Sequence, residues 1–538
     1  VNTSQRSIAR NASVVMAAFV LSNVVGLFRT MLVGDAFGTD SDLDAFNAAV
    51  RVPDLLFNLV AGGALASAFI PAFAGFLDKD EGRAWRLTSA VLNWVVLAAL
   101  VVSALGALVA PWLVATLVGR GFGPAQQALT VQLMRILLLT PAIFAVSGLL
   151  MSVQNARGRF LMPALAPSCY WLGMIFGLLF LSPRMGPLGI FGLAWGALLG
   201  ALMHLGLQLF GMRGLAAPYT PGLGRDDAAV GEVARRMAPR LLGVGANQLN
   251  FLVTATLASY IAGGVSSLDY AWRVFTMPLV VIAQGLAVAA LPAFALLVAQ
   301  GELRQVALRL SDTLRGMLFL AIPATIGLWL LRTPIVAMLF QRGEFGPEST
   351  VLVASALGFF AIGLVGHSTV ELVSRAFYAL GDTHTPVLVA GYTVVVNIIL
   401  SLALGLGFQR VGWEPVGGLA LATSLAVTME MVVLVRLLRP KLDGIGLAPL
   451  IGHGLWRILL SATAMGLAVA VWLWLMADRS PWLVGLGGVV LGGALYGAVA
   501  WALGSREARA LAAPALARFG HGAAATQRIR RRRFDPPA

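Results

Sequence analysis

Charge is scarce in this sequence. Only 12% of its 538 residues are charged, and acids are the scarcer sign, 24 Asp and Glu against 38 Lys and Arg. With 59% hydrophobic residues and a mean hydropathy of +0.85, the chain is excluded from the class of soluble domains. Cysteine is nearly absent: Cys169 stands alone in an apolar stretch, which rules out an intramolecular disulfide. No G-x-x-x-x-G-K-[S/T] run is present to cradle nucleotide phosphates. The five histidines (His204, His367, His384, His453 and His521) are scattered and match no metal spacing. No Gly-x-Ser-x-Gly elbow or Cys/His arrangement offers a nucleophile. Neither an enzyme nor a cofactor or metal is expected. Whatever is moved is moved by binding and rocking.

Long apolar runs are what the chain does have, many of them beyond the ~20 residues that cross a bilayer core. Backbone polar groups in lipid must be satisfied internally, by helices or by a closed barrel. The runs far exceed the ~10-residue alternating strands of a barrel. An all-α polytopic membrane protein of 14 transmembrane helices is therefore expected, over 11–37, 44–77, 83–118, 126–154, 159–182, 187–212, 234–263, 266–299, 305–341, 349–380, 385–408, 414–438, 452–477 and 481–503.

The sequence also repeats itself. Ser41-Asp42-Leu43-Asp44, Pro53, Leu65-Ala66 and Pro71-Ala72-Phe73-Ala74 return in order as Ser266-Ser267-Leu268-Asp269, Pro278, Leu286-Ala287 and Pro292-Ala293-Phe294-Ala295. Arg120-Gly121-Phe122-Gly123-Pro124 returns as Arg342-Gly343-Glu344-Phe345-Gly346-Pro347, and Ala156, Gly158 and Pro163 as Ala379, Gly381 and Pro386. The expected organisation is a first lobe over 1–222 (six spans), a second over 223–445 (six spans), two extra helices over 446–504 and a basic tail over 505–538. An even number of spans per copy makes the repeats parallel, related by an axis along the membrane normal. Duplicated hydrophobic halves mark secondary transporters, which hold substrate between the halves near the midplane.

A cytoplasmic N-terminus leaves only Arg120, Arg184, Arg332, Arg342, Arg410 and Arg479 on the outer side, so the positive-inside rule places both termini in the cytoplasm. Arg6 and Arg10 precede a segment too long for a signal-peptide core, read here as a retained first helix. Val1 is read as an alternative start codon, which suits a bacterial inner-membrane protein. The tail run Arg528-Ile529-Arg530-Arg531-Arg532-Arg533 is read as a solvated end that reinforces topology, ahead of a site for anionic headgroups.

Ionisable groups inside spans are the candidate functional residues, since each costs about 2.5–3.5 kcal/mol at a helix centre unless it faces a cavity or a partner. Arg29, Arg51 and Arg273 come from both copies and are expected to meet in one cavity suited to a phosphate or pyrophosphate. The alternative pairs Arg51 with Asp54 and Arg273 with Asp269 along one helical face. Arg29 has no acid within a turn and is the leading candidate; Arg135 is read as structural. Asp44, Asp269, Glu371 and Glu430 are candidates for a gate or for coupling to Na+ or H+, among polar neighbours His367, Asn247, Gln248 and Asn250. For Asp44 and Asp269 the preferred reading is an N-cap, because each opens a span.

Several spaced motifs resemble the MurJ (MviN) lipid II flippases. In the first copy these are Val25-Gly26-Leu27-Phe28-Arg29, Ala36-Phe37-Gly38, Asp44-Ala45-Phe46, Arg51-Val52-Pro53 and Ala68-Phe69-Ile70-Pro71. In the second they are Pro239, Gly243, Gln248, Asn250, Tyr270-Ala271-Trp272-Arg273, Pro278 and Phe377-Tyr378-Ala379-Leu380-Gly381-Asp382. The resemblance covers about residues 10–440. It implies two six-helix lobes in a V shape, of the multidrug/oligosaccharidyl-lipid/polysaccharide exporter type. It implies alternating access that turns lipid-linked peptidoglycan precursor from the inner to the outer leaflet, driven by a coupling ion or the membrane potential. Membrane lipids and the cell-wall synthesis machinery are the implied partners; nucleic acid is not. Arg29 and Arg273 match family arginines that hold the pyrophosphate, and Asp44 an acid near the outer gate. The last two helices would hold the polyprenyl tail, in a groove that Gly488, Gly492, Gly493 and Gly497 leave room for. Departures occur at Asn23, Thr30, Phe57 and Ala61-Gly62-Gly63-Ala64, where the family often has a charge. A flippase for another polyprenyl-pyrophosphate-linked saccharide and a non-transporting membrane scaffold stay open as alternatives. The cationic cluster fits the family's drug/sodium antiporter relatives less well.

Overall fold

The computed structural model describes residues 2–60, 63–77, 79–215, 218–444, 452 and 454–510. The described residues form helices and no strand: α1 (Asn2–Phe37), α2 (Ser41–Val60), α3 (Gly63–Leu77), α4 (Glu81–Leu113), α5 (Pro124–Leu137), α6 (Thr140–Ala156), α7 (Leu161–Phe176), α8 (Ile190–Gly211), α9 (Ala228–Ala258), α10 (Gly264–Leu279), α11 (Gly285–Ala299), α12 (Leu303–Phe340), α13 (Pro347–Ile362), α14 (Leu364–Ala379), α15 (His384–Arg410) and α16 (Pro415–Leu438). Two more follow, α17 (Leu455–Leu475) and α18 (Pro481–Ala502).

Among the described residues 11 segments are long and apolar enough to span a membrane, and α13 with α14 makes a twelfth, bent by 47°. The chain is a multi-pass membrane protein. The other two of the 14 expected spans, 44–77 and 234–263, run through positions outside the described residues. The segment expected over 44–77 is divided between α2 and α3 around residues 61–62, which lie outside the described residues, as do the side chains of 238–247 within α9. The bend between α13 and α14 has a physical cause. Gly363 lies where a β-carbon would press on Ser424, and the Ser424 hydroxyl donates to the Phe359 carbonyl at 2.7 Å. A break in a membrane helix is tolerated where another helix supplies the missing donor.

Proline reshapes two other spans. A ring without an N–H cannot continue the i→i−4 ladder. After Pro111 and Pro278 the helix widens into π-type turns at Val114–Val118 and Val280–Gln284, and the Gly119 N–H reaches back to Val114.

By contact density the chain forms two compact units, which do not coincide with the sequence halves 1–222 and 223–445. The first comprises Val1–Arg273, Leu339–Ala356 and Ala390–Ala422, the second Val274–Met338, Leu357–Val389 and Thr423–Ala538. In the first, Leu65, Phe69, Phe73, Trp85, Leu87 and Leu149 form a buried core from α3, α4 and α6. Here α7 and α8 approach backbone to backbone, because β-carbons at Gly173 and Gly177 would strike Gly200 and Gly196.

The second unit has two cores. One gathers Phe294, Leu310, Leu314, Leu372 and Phe377. The other packs Phe319 and Leu331 of α12 against Ile458, Met465, Val469 and Tyr496 of α17 and α18. Tyr496 donates to the Phe319 carbonyl at 2.6 Å. The glycines of α18 divide: Gly488 and Gly492 pack on Leu331 and Val469, whereas Gly493 and Gly497 meet nothing within 4 Å. Arg315 pairs with Glu507 at 2.8 Å just beyond α18. The arginine run at 528–533 lies outside the described residues.

Candidate functional site

The first unit brings the candidate arginines together through α1, α2, α7 and α10. Arg29 lies deep in α1 and is 5% exposed. Its neighbour Thr30 turns its hydroxyl back to the Gly26 carbonyl at 2.9 Å. Arg29 therefore has no adjacent acid, and among the described residues it makes no ion pair. Its buried Nε has no hydrogen-bond partner.

Arg29 and Arg273 converge on one ring. The guanidinium carbon of Arg29 lies 5.7 Å from the Trp171 ring centroid and that of Arg273 5.8 Å. Both distances are within cation–π range. Trp171 continues into an aromatic column: Tyr170 at 5.1 Å between centroids, then Phe144 at 5.4 Å from Tyr170. Phe57 and His204 pack edge-on against Phe144 at 4.8 and 5.3 Å. Phe57 serves here as packing. His204 is held by Ser147 at 2.6 Å.

Arg51 takes a different partner from the one its helix suggests. It bonds Asp269 of α10 at 2.5 Å, not Asp54 one turn away on α2. Arg273 approaches the other oxygen of the same carboxylate at 3.8 Å. Asp269 thus joins arginines from both sequence copies. The N-cap expectation fails for Asp269, which sits inside α10 with both oxygens facing guanidinium groups.

The same expectation fails for Asp44 in an instructive way. Asp44 is 1% exposed and lies inside α2, and it caps another helix: the Ser266 N–H in the first turn of α10 donates to it at 2.7 Å. Asn47 adds a bond to the Ser266 hydroxyl at 3.1 Å. A carboxylate at a helix N-terminus satisfies an orphan N–H and complements the helix dipole.

Near this contact, hydrogen bonds link the turn leaving α1 to that leaving α12, and the turn after α4 to that leaving α9. Glu344 N–H donates to the Asp35 carbonyl at 2.9 Å, Thr39 and Ser349 share a hydroxyl bond of 2.8 Å, and Gly121 N–H donates to Ser259 at 2.9 Å. Gly38 and Gly343 have φ of +54° and +52°, and a β-carbon on either would strike the facing backbone. A cavity of about 620 Å³ opens beside them, lined by Asp40, Asp44, Gln126, Glu344 and Glu348.

The remaining candidates are more ordinary. Glu371 is bonded by Arg375 at 2.5 Å, one turn away on α14. Glu430 and His367 are buried or partly buried in the second unit, while the Asn247 side chain lies outside the described residues. Arg135 donates to the Ala107 carbonyl at 3.2 Å, a structural contact. Sequence reading missed Trp171, because an aromatic residue in an apolar span carries no signal of its own.

A family profile described as lipid II flippase MurJ matches residues 33–487. The probable lipid II flippase MurJ of Rhizobium meliloti (strain 1021) is 30% identical over 405 residues, covering 74% of this chain and 75% of its own length. The lipid II flippase MurJ of Burkholderia cenocepacia is 31% identical over 389 residues, covering 70% and 74%. Among solved structures, one of lipid II flippase MurJ in an inward closed conformation superposes with a TM-score of 0.76 at 24% identity, over 90% of this chain and 97% of that one. A multidrug resistance MATE family transporter of the MOP superfamily shares the fold at a TM-score of 0.65 and 16% identity, over 80% and 98%. The chain belongs to the lipid II flippase MurJ family.

Proposed function

We propose that this chain turns lipid II, a lipid-linked saccharide pyrophosphate, from the inner to the outer leaflet of the bacterial cytoplasmic membrane by alternating access, with both termini in the cytoplasm. Family membership supports the substrate class. The observation that carries the mechanism is Arg29, a guanidinium buried in a membrane helix that forms no ion pair among the described residues. Such a group is costly to insert, and an anionic ligand repays that cost. Arginine suits this ligand because its planar fork grips phosphate oxygens bidentately. For the driving force, Asp44, Asp269 and Glu371 each already accept from protein donors. We therefore favour the membrane potential acting on the cationic site over Na+ or H+ bound at those carboxylates.

The test is complementation of flippase depletion by Arg29→Ala and Arg273→Ala at matched protein levels, with native mass spectrometry of the purified chain. Both variants are expected to lose growth support and the co-purifying lipid-linked saccharide. Full complementation by both, with loss of function only when residues 511–538 are removed, would instead establish a scaffold.

A further inference from the structure

We propose that Trp171 is a positioning residue, whose indole holds the guanidinium groups of Arg29 and Arg273 together as one receptor for the diphosphate of the substrate lipid. The inference rests on the function proposed above and names the part that organises its binding site.

The two arginines come from helices far apart in sequence, yet both lie within 6 Å of one ring centroid. Their guanidinium carbons are no farther apart than the sum of those two distances, a gap that one diphosphate bridges with an arginine at each end. Like charges this close repel, and a carboxylate between them would remove the repulsion at the expense of the site's positive charge. Asp269 already faces Arg51 and Arg273 on its two oxygens, and among the described residues no acid pairs with Arg29. The negative face of an indole attracts both cations while adding no net charge. The site therefore stays cationic and the arginines stay placed.

The ring is itself held in place. Gly26, one turn before Arg29, lets α1 approach closely: a β-carbon there would sit 3.3 Å from Trp171 Nε1. Tyr170 packs against the ring and is itself backed by Phe144, and the glycine contacts of α7 with α8 fix the helix that carries it. Arg29 Nε is buried and has no hydrogen-bond partner, so its own protein surroundings leave this donor unsatisfied. Preorganising cations before the anion arrives removes part of the ordering cost of binding.

The experiment replaces Trp171 in the full chain with mono-, di- and trifluorotryptophan by nonsense suppression. Fluorination keeps the ring's shape and progressively weakens the negative charge of its face. Binding of farnesyl diphosphate to the detergent-solubilised protein is titrated against farnesol as the uncharged control. The Kd for the diphosphate is expected to rise at each step, reaching roughly five- to thirtyfold with the trifluorinated ring. Farnesol binding and the melting temperature are expected to stay constant, as a merely structural tryptophan would leave every readout. Arg29→Ala and Arg273→Ala are measured alongside. A flat Kd across the fluorinated series with binding lost in the arginine variants overturns the role of Trp171 and leaves the proposed function intact. Undiminished diphosphate binding by both arginine variants, or none by the unmodified chain, overturns both.

Discussion

Arg51 of α2 meets Asp269 of α10 at 2.5 Å, across 218 positions of sequence, with both side chains about one-fifth exposed. The pair joins matching segments of the two sequence copies and leaves Arg51 less free for substrate than its burial alone suggests. Breaking the pair leaves Asp269 with only the longer contact to Arg273, at 3.8 Å. Arg51→Ala is expected to destabilise the chain by about 1–3 kcal/mol. Arg51→Ala with Asp269→Ala should cost less than the two single changes added together. Thermal unfolding in detergent, analysed as a double-mutant cycle, measures that coupling; additive single effects would count against it.

Asp44 predicts a split between its two simplest substitutions. Asn keeps an oxygen for the Ser266 N–H, whereas Ala leaves the first turn of α10 uncapped, at a cost of about 1 kcal/mol. Asp44→Asn should therefore unfold near the unmodified temperature and Asp44→Ala below it. If Asn alone abolishes complementation at normal stability, the charge of Asp44 serves transport as well as capping.

Gly38 and Gly343 should be intolerant for two separate reasons, the left-handed backbone and the backbone facing them. A non-glycine residue there costs about 1–2 kcal/mol before any clash. Gly343→Ala is expected to loosen the contact with Asp35. The readout is maleimide labelling of Glu348→Cys in a Cys169→Ser background, which should rise when Gly343→Ala is added. Unchanged labelling would show that the turns give way without separating.

Acid should act on the turn after α14. Asp382 accepts from the Thr385 hydroxyl at 2.6 Å and its N–H at 2.9 Å, with Lys441 at 3.0 Å, and these donors hold its carboxyl well below the usual range. A group depressed in the folded chain adds stability above its unfolded pKa, near ~3.9, and gives it up as the pH falls through the folded value. The advantage of the unmodified chain over Asp382→Asn should hold at neutral pH and shrink below about pH 4. A pH-independent difference in melting temperature would exclude this linkage.

Sequence patterning revealed most of this architecture, because crossing lipid demands length and hydropathy that local sequence displays. The candidate cluster was legible for a related reason: Arg29 stands out in an apolar helix with no acid nearby. What stayed hidden was non-local. The i,i+3 spacing of Arg51 and Asp54 suggested a local pair, while the observed partner lies in the other copy. Asp44 looked like a cap for its own helix because it opens one; only the packing of α2 beside α10 shows which helix it caps. Trp171 could not be singled out, since its importance lies in where two distant arginines happen to point.

The cap that Asp44 supplies to α10 has a counterpart that never formed. Asp269 occupies the matching place in the later copy, yet it is engaged by arginines. Aligning the copies sets Ala48 opposite Arg273, Thr276 opposite Arg51 and Val394 opposite Trp171. A chimera built from two tandem copies of the opening half would therefore keep Arg29, Arg51 and Trp171 but set an alanine where Arg273 shares the indole, leaving one jaw of a two-jawed clamp. Duplication supplied the scaffold; divergence at a few positions supplied the grip.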